Sequence, residues 1–167
     1  VIGVAGQLAN GKDMFGDYLV EKLNTTFEQE GFPWQREAFA NAVKNIFCNS
    51  FGVDRRFIED WKRNPEPPEG YLKNIRQSLQ FIGDGFRTIK GNIWIEIALR
   101  DKSRKMVISD SRYFNEAKAI HENGGINVIL YRPGFLNDDP NPSESQIRQA
   151  VEWCLETNQV DVPINRN

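Results

Sequence analysis

The chain is poor in the residues that build several common kinds of catalytic and metal site. It contains one histidine, His121, and two cysteines, Cys48 and Cys154, in 167 residues. No Ser-His-Asp set can be assembled around the one histidine. No zinc cluster can be assembled either, because the cysteines lie far apart without the spacing of metal ligands. We expect His121 to be a surface residue at a helix end, and the cysteines to be reduced, buried thiols of a cytosolic protein.

Long apolar runs and an excess of charge of one sign are also lacking. No apolar segment approaches the roughly 18 residues of a membrane span, and no signal peptide precedes the first predicted strand. The 21 basic and 23 acidic residues nearly balance, with a formal net charge of -2. The chain as a whole therefore has no strong attraction to nucleic acid or to an anionic membrane. We expect a cytoplasmic protein without a membrane partner.

Short apolar segments alternate along the chain with segments of helical periodicity. Strands are predicted at residues 1–5, 37–40, 106–110, 126–131 and 160–164. Helices are predicted at residues 12–29, 41–51, 54–61 (capped by Asp54), 71–88, 92–102, 116–123 and 143–157, and a surface loop at the Pro-rich residues 64–70. This alternation favours an α/β fold, with a parallel sheet and helices on both of its faces. The length fits one compact domain.

A glycine-rich motif joins the first predicted strand to the first predicted helix. Residues 6–12 match G-x-x-x-x-G-K, in which Gly6, Gly11 and Lys12 are the defining positions. In this context the loop N–H groups and the helix N-terminus bind a phosphate chain, and the lysine reaches its β and γ oxygens. The alternative is a glycine turn beside a solvent-exposed lysine. The flanking strand and helix favour the phosphate site.

The position after the lysine departs from the usual motif. A serine or threonine there normally ligates Mg²⁺ through its hydroxyl, whereas this chain has Asp13 followed by Met14. A carboxylate can ligate Mg²⁺ directly or through water. It also places negative charge beside a triphosphate, which costs affinity unless the metal or an arginine offsets it. Asp13 is therefore a candidate metal ligand.

A second acid and several arginines are predicted near the same edge of the sheet. Asp110 ends an apolar strand, where open α/β sheets bind ligands, and it is either a metal ligand or the N-cap of the next helix. Arg112 follows two residues later. The other candidate arginines are Arg76, Arg87 and Arg132. Phosphoryl transfer needs cations fixed around the transferred group, although any one arginine could equally form a surface ion pair.

Several separated segments together resemble the phage-type deoxynucleoside monophosphate kinases. Gly11-Lys12-Asp13 is similar to the Gly-Lys-Asp variant of the phosphate loop in that family. Residues 108–117 are similar to its Asp-x-Arg-Phe-x-Asn-Glu signature, with Tyr113 in place of the first phenylalanine. The other matching segments are Phe39-Ala40 with Lys44, Arg76-Gln77 through Gly83 with Arg87 and Trp94, Gly124-Gly125, Arg132-Pro133 and Ser143-Glu144. The chain departs from the family at Met14, where threonine is usual, and at Asn141, where histidine is usual.

The resemblance implies a fold and an activity for nearly the whole chain. The fold would be that of the P-loop NTPases, a single kinase domain over residues 1–167 with a helical acceptor-binding region at about 39–103. The activity would be transfer of the γ-phosphoryl group of ATP, with Mg²⁺, to a deoxynucleoside 5′-monophosphate. The location would be the cytoplasm, of an infected host cell if the chain is phage-encoded, and a homodimer is left open.

The resemblance also implies which residues bind the two nucleotides. The catalytic set would be Lys12, Arg87, Asp110 and Arg112. The donor would be bound by Gly6, Asn10, Gly11, Lys12, Asp13, Met14 and Arg132, and Mg²⁺ by Asp13 and Asp110. The acceptor would be bound by Phe39, Lys44, Arg76, Gln77, Gln80 and Trp94. Cations would hold its phosphate and glutamine amides would read its base, while Phe39, Phe81 and Trp94 either stack on the base or belong to the core.

Two other functions stay open at this point. The acceptor could be a hydroxymethyl group on a modified base, free or within DNA, in which case an alcohol would need a base such as Asp110 or Glu116. The net charge of -2 weighs mildly against DNA as the substrate. Alternatively, the chain could be a nucleotide-binding protein without turnover, an interpretation that rests on the missing Ser/Thr hydroxyl alone.

Overall fold

The computed structural model describes residues 1–6, 11–26, 32–101, 103–131, 142–157 and 161–163. Three predicted positions, Asn10, Arg132 and Asn141, lie outside the described residues, as do the side chains of Ser143 and Glu144. The chain divides into two compact units, residues 1–38 with 101–167, and residues 39–100.

The first unit is built on a five-stranded sheet in which every neighbouring pair is parallel. Its strands are β1 (Ile2–Ala5), β2 (Gln35–Glu37), β3 (Met106–Ser111), β4 (Ile126–Tyr131) and β5 (Asp161–Pro163), in the spatial order β2-β3-β1-β4-β5. The predicted α/β fold with a parallel sheet is therefore confirmed. The second strand was predicted two residues too late, because pairing with β3 begins at Gln35, whose N–H donates to the Lys105 carbonyl at 3.0 Å.

Helices cover both faces of this sheet, which explains why β1 and β4 are mostly apolar and why β3 begins with Met106, Val107 and Ile108. On one face, α1 (Lys12–Thr26) packs Phe15 and Leu19 against a core that includes Val4, Val107 and Leu130. On the other face, α6 (Phe114–Glu122) and α7 (Pro142–Glu156) contribute Ala117, Ala150 and Cys154, which pack with Ile129. The alternation between Ile129 and Leu130 on β4 follows the pleat of the strand.

The second unit, residues 39–100, contains four helices and no strand. They are α2 (Ala40–Phe51), α3 (Arg55–Trp61), α4 (Ile75–Ile89) and α5 (Ile93–Ala98). Phe47, Ile58 and Ile75 form a core shared by α2, α3 and α4. The predicted loop at 64–70 is confirmed, since none of its residues lies in a helix or strand.

The ends of these helices are set by side chains that bind backbone groups. Asp54 caps α3 as predicted, accepting a hydrogen bond from the Phe57 N–H at 3.0 Å. The start of α4 was predicted at residue 71 but lies at Ile75, because Asn74 and Gln77 form a reciprocal capping box. The predicted extension of α5 to residue 102 is also wrong: Asp101 instead binds the N–H and hydroxyl of Ser103, a local turn that competes with helix.

Three of the remaining expectations concern single side chains and membrane spans. His121 is exposed in the last turn of α6, where its ring lies edge-on to Trp153 at 5.4 Å, so the predicted surface position at a helix end is confirmed. Both cysteines are free, and Cys154 is buried as predicted, whereas Cys48 is only half-buried. No helix in the described part of the chain is long and apolar enough to span a membrane.

Candidate functional site

Gly6 and Gly11, the glycines of the predicted phosphate loop, lie directly after β1 and directly before α1. A side chain at Gly6 would approach the Leu130 carbonyl oxygen to 2.7 Å, so this position requires glycine for space. Gly11 has a φ of 77°, the left-handed region that favours glycine. Glycine is thus required at position 6 by the close approach of the Leu130 carbonyl and favoured at position 11 by the backbone conformation. Residues 7–10 lie outside the described residues.

Lys12, the first residue of α1, turns its side chain back towards the end of β1. Its ammonium donates a hydrogen bond of 2.6 Å to the Gly6 carbonyl oxygen, and the residue is 7% exposed. An exposed lysine at the end of a glycine turn, the alternative considered from the sequence, is therefore excluded. The positive charge is held at the base of the loop, where burial strengthens its attraction for an anion.

Asp13 is held by two side chains from neighbouring strands. The Ser109 hydroxyl on β3 donates to its Oδ1 at 3.1 Å, and Nη1 of Arg36 on β2 lies 3.2 Å from the same oxygen. The Arg36 Nε also lies 3.1 Å from the Asp17 carboxylate, one turn further along α1. Arg36 is thus the arginine that offsets the negative charge of Asp13, as a carboxylate beside a triphosphate requires.

Sequence reasoning missed both Ser109 and Arg36. The spacing of Asp13 and Asp17 was a usable signal for Arg36, because two acids four residues apart share one face of a helix and favour a cation across them. Ser109 carries no such signal, since a serine within an apolar strand is unremarkable until the fold places it against Asp13.

A close contact between α1 and β3 brings Asp13 and Ser109 together. Gly16 is buried one turn after Asp13, and a Cβ there would lie 3.1 Å from the Ser109 Cβ and 3.4 Å from the Arg36 Cδ. The distance to Ser109 is tighter than ordinary van der Waals contact, so the helix approaches the sheet this closely because residue 16 has no side chain.

The carboxyl end of β3 carries an irregularity at the predicted metal-binding acid. Gly3 pairs with Ile108 and Ala5 with Ser111, so Ser109 and Asp110 together lie opposite Val4 alone. An extra residue of this kind is a β-bulge, which re-aims side chains and is frequent beside active sites. Asp110 is half-buried there.

The predicted alternative for Asp110, an N-cap of the next helix, is not what the structure shows. The cap residue of α6 is Tyr113. The buried Glu116 carboxylate accepts hydrogen bonds from the backbone N–H groups of Arg112, at 2.8 Å, and Tyr113, at 3.0 Å. Glu116 therefore satisfies the first backbone donors at the start of α6.

The carboxylate oxygens of the predicted metal ligands are of the type that Mg²⁺ binds. Among the described residues, no group of three or more His, Cys, Asp or Glu side chains could hold a metal ion by itself. Mg²⁺ does not need such a cluster, because it usually binds through one or two carboxylates, several waters and the phosphates of its nucleotide. Asp13 and Asp110 stay the carboxylates predicted for that role.

Some of the residues predicted to bind the acceptor nucleotide already contact other side chains of the helical unit. Lys44 on α2 lies 3.2 Å from the Glu59 carboxylate, which Lys62 also contacts. The hydrogen bond from Lys62, with a smaller contribution from Lys44, holds the pKa of Glu59 below its ordinary value. Lys44 is thus a cation held near the surface by an acid on α3.

Three of the predicted acceptor and catalytic side chains share one face of α4. Arg76, Gln80 and Arg87 follow one another at intervals of four and seven residues. Arg76 and Gln80 are exposed, while Arg87 lies 3.2 Å from Asp84. Gln77 is not on this face, and its side-chain oxygen accepts the Asn74 N–H at 3.3 Å as part of the helix cap. Arg76 and Arg87 nevertheless lie three turns apart on this face, about 16 Å along the helix axis.

The predicted aromatic residues divide into buried and exposed. Phe39 and Trp94 are buried, and the Trp94 indole N–H donates to the Gly83 carbonyl oxygen at 3.0 Å while its ring packs at 5.4 Å from Phe86. Phe81 on α4 is 71% exposed. Of the three aromatics, Phe81 is the one whose ring faces solvent, and stacking on a base by the other two stays a prediction.

Comparisons with known proteins give one informative similarity. No protein-family model matches the chain. A protein of Acanthamoeba polyphaga mimivirus with the name "Putative deoxynucleotide monophosphate kinase" is 28% identical to it over 173 residues, which covers 93% of this chain and 86% of that protein. The similarity therefore extends through both compact units.

Proposed function

We propose that the chain is a nucleotide kinase that transfers the γ-phosphoryl group of ATP to a deoxynucleoside 5′-monophosphate. The observation that carries this proposal is the buried Lys12 ammonium, held 2.6 Å from the Gly6 carbonyl oxygen where a parallel strand passes into a helix. A buried cation beside a helix N-terminus is a binding site for a phosphate chain. The name of the mimivirus protein, similar over 93% of this chain, supports the same activity.

On the donor side, the loop and Lys12 bind the triphosphate of ATP. The Lys12 ammonium exchanges the Gly6 carbonyl for the β and γ oxygens, and the first N–H groups of α1 contact the same phosphates. Asp13 and Asp110 would hold Mg²⁺ or its waters, and the metal would offset charge on the β and γ phosphates. Arg36 offsets the charge that Asp13 brings to the loop.

On the acceptor side, the helical unit binds the monophosphate. Lys44 and Arg76 bind the 5′-phosphate, Gln77 and Gln80 read the base, and Phe81 is the exposed ring available to stack on it. Recognition of a phosphate by guanidinium groups is both strong and geometrically specific.

The transfer itself needs charge compensation more than proton transfer. An oxygen of the acceptor phosphate forms a bond to the γ-phosphorus while the bond from that phosphorus to the β-bridging oxygen breaks, giving a deoxynucleoside diphosphate and ADP. Arg87 and Arg112 are the cations assigned to stabilise the charge of the transferring group. Because the acceptor oxygen is already anionic, the reaction needs no strong general base.

The two other functions lose support from specific contacts. A kinase for a hydroxymethyl group needs a base, and of the two candidates Glu116 is buried with its carboxylate bound to two backbone N–H groups, which leaves Asp110 alone. A protein without turnover was suggested only by the missing hydroxyl at position 13, and a hydroxyl from Ser109 lies 3.1 Å from that carboxylate. The homodimer and the cytoplasmic location stay predictions.

Phosphotransfer assays test the proposal directly. Purified protein with Mg²⁺ and ATP is expected to convert at least one natural or hydroxymethylated deoxynucleoside monophosphate to its diphosphate. Lys12→Ala should lower kcat/KM about 100- to 1000-fold, as removal of one preorganised charge donor does in other enzymes. Lys22→Ala is the matched control, since Lys22 lies on the same helix with its side chain over the exposed Tyr18 ring.

The result that contradicts the proposal is equally specific. Absence of diphosphate with every acceptor, in protein that retains its cooperative unfolding transition, would exclude a nucleotide kinase. Equal activity of Lys12→Ala and the unmodified protein would exclude the assigned phosphate site.

A further inference from the structure

The hydroxyl that is missing from the loop is present on the neighbouring strand. In the usual P-loop arrangement, Mg²⁺ is held by a Ser or Thr after the loop lysine and by an acid on an adjacent strand. Here the residue after Lys12 is the acid, Asp13, and the strand residue that meets it is Ser109, whose hydroxyl donates to Oδ1 at 3.1 Å. The same two functional groups occur with their positions exchanged.

We propose that Asp13 and Ser109 form this exchanged pair, in which the Asp13 carboxylate ligates the Mg²⁺ of bound nucleotide and the Ser109 hydroxyl positions that carboxylate. Ser109 is a positioning residue that acts through Asp13. The inference rests on the proposed function for the identity of the metal–nucleotide complex, and it names the group that replaces the missing hydroxyl.

The contacts to Asp13 favour this geometry. Within the described residues, both side-chain contacts to its carboxylate reach Oδ1, from Ser109 and from Arg36. We therefore assign the metal to Oδ2. The Asp13 side chain is 81% exposed, so a hydrated cation can approach it without rearrangement of the core.

Ser109 itself is buried, which makes its hydroxyl a fixed rather than a mobile donor. The residue is 2% exposed, at the β-bulge of β3. Its Cβ lies against Gly16, where an added methyl group would come within 3.1 Å. Tight packing on this side leaves the hydroxyl little freedom, so Asp13 is held in one orientation before the nucleotide binds.

Arg36 keeps the exchanged pair compatible with a polyphosphate. An uncompensated carboxylate after the loop lysine would repel the γ-phosphate, whereas the guanidinium of Arg36 bridges Asp13 and Asp17 at 3.2 and 3.1 Å. In a usual loop the neutral hydroxyl creates no such repulsion. With the acid in place of the hydroxyl, a cation is needed beside Asp13, and Arg36 on β2 is that cation.

Calorimetric titration with ADP, with and without Mg²⁺, tests the inference without relying on turnover. The measured quantity is the factor by which Mg²⁺ increases ADP affinity. Ser109→Ala should reduce that factor about tenfold while leaving metal-free affinity unchanged, because one hydrogen bond to a charged group is lost. Ser109→Thr, which keeps the hydroxyl, should retain most of the factor. Asp13→Asn should lower it further, because the ligand itself is lost.

Ser111→Ala is the matched control. Ser111 is also a buried serine on β3, and its hydroxyl has no hydrogen-bond partner among the described residues. Its loss should leave the Mg²⁺ factor unaltered. Gly16→Ala should reproduce the loss seen with Ser109→Ala, because the added methyl group separates α1 from β3. If Gly16→Ala does not fold, the serine variants decide alone.

The outcomes separate the inference from the proposed function. A full Mg²⁺ factor in Ser109→Ala or in Asp13→Asn overturns the exchanged pair, even if the unmodified protein phosphorylates nucleotides. A Mg²⁺ factor that falls about tenfold in Ser109→Ala and further in Asp13→Asn supports the pair, even if the protein transfers phosphate to no acceptor.

Discussion

At the residue scale, burial of an ionisable group changes what that group does in water. The Cys154 thiol lies between α7 and the sheet, where it is 1% exposed among Ala117, Ile129 and Ala150. Burial raises the pKa of Cys154 from its ordinary 9.0 to about 11, because the thiolate would lose its hydration. The thiol is therefore a packing group and a poor nucleophile at neutral pH.

This pKa predicts how stability changes in alkaline solution. Below pH 9.0 the thiol is protonated in both the folded and the unfolded chain, and its contribution to stability is complete. Between pH 9.0 and about 11 the unfolded chain releases the proton while the folded chain retains it, so the free energy of unfolding falls as the pH rises. Urea unfolding of the unmodified protein and of Cys154→Ala across this range measures the difference.

The expected result is a steeper alkaline loss of stability in the unmodified protein than in Cys154→Ala. Cys48→Ala, which removes the half-buried thiol on α2, is the control and should retain the steep loss. Parallel pH profiles for the unmodified protein and Cys154→Ala would show that the buried thiol does not contribute.

At the element scale, the start of α6 depends on one buried acid. Glu116 accepts the backbone N–H groups of Arg112 and Tyr113, and these two residues join the end of β3 to the helix. Since β3 ends at Ser111, Glu116 determines how the chain leaves the strand that carries Asp110. A buried carboxylate in this role is structural, because removing it leaves two backbone donors without their partner.

Substitution of Glu116 separates this structural role from a role as a base. Glu116→Ala should lower the free energy of unfolding by about 2 kcal/mol, the loss expected for hydrogen bonds to a charged acceptor. Glu116→Gln keeps one acceptor oxygen, so it should recover part of that stability and keep phosphotransfer. Glu122→Ala, at the exposed end of the same helix, should change stability by less than about 0.5 kcal/mol.

Urea denaturation and the phosphotransfer assay measure the two effects independently. A Glu116→Gln protein that unfolds at the same urea concentration as the unmodified protein but has lost all activity would contradict the structural role. It would make Glu116 a participant in the reaction.

At the scale of the whole molecule, the chain consists of two compact units with separate hydrophobic cores. Ile2, Val4 and Val107 belong to the core of the sheet unit, whereas Phe47 and Ile58 belong to that of the helical unit. The predicted donor residues that the structure describes lie on the first unit, and the predicted acceptor residues lie on the second. Under the proposed function, each unit binds one of the two nucleotides.

This division predicts that substitutions on the helical unit act on the acceptor alone. Arg76→Ala should raise the KM for the deoxynucleoside monophosphate tenfold or more, since a charged hydrogen bond to phosphate is lost, and should leave the KM for ATP unchanged. Steady-state kinetics with each substrate varied in turn measures both constants. Lys73→Ala, at an exposed lysine just before α4, is the control for loss of a nearby positive charge.

An equal rise in both KM values for Arg76→Ala would contradict the division of roles. It would show that the side chain acts through the stability of the whole chain, and a matching fall in thermal stability would identify that cause.

Local sequence was sufficient for features whose causes lie within a few residues. The strand, glycine turn and helix from Ile2 to Thr26, the cap at Asp54 and the loop at 64–70 follow from short-range sterics and hydrogen bonds, and these predictions agree with the described residues. Helix boundaries were less accurate where side chains bind the backbone, as at Asn74 and Asp101. The errors at Asn74 and Asp101 have one cause, because short polar side chains bind nearby backbone groups and so shift the ends of a helix.

The sequence by itself determined the α/β class, the order of its elements and the position of a lysine at the start of the helix that follows β1, whereas the burial of that lysine came from the structure. Only the tertiary structure decided the surroundings of Asp13, because Ser109 is 96 residues away and Arg36 is 23 residues away along the chain. Contacts over such separations depend on which strands neighbour each other and on how closely a helix packs, here through Gly16. No periodicity or local motif contains that information, since it arises when β2 and β3 pair beside α1.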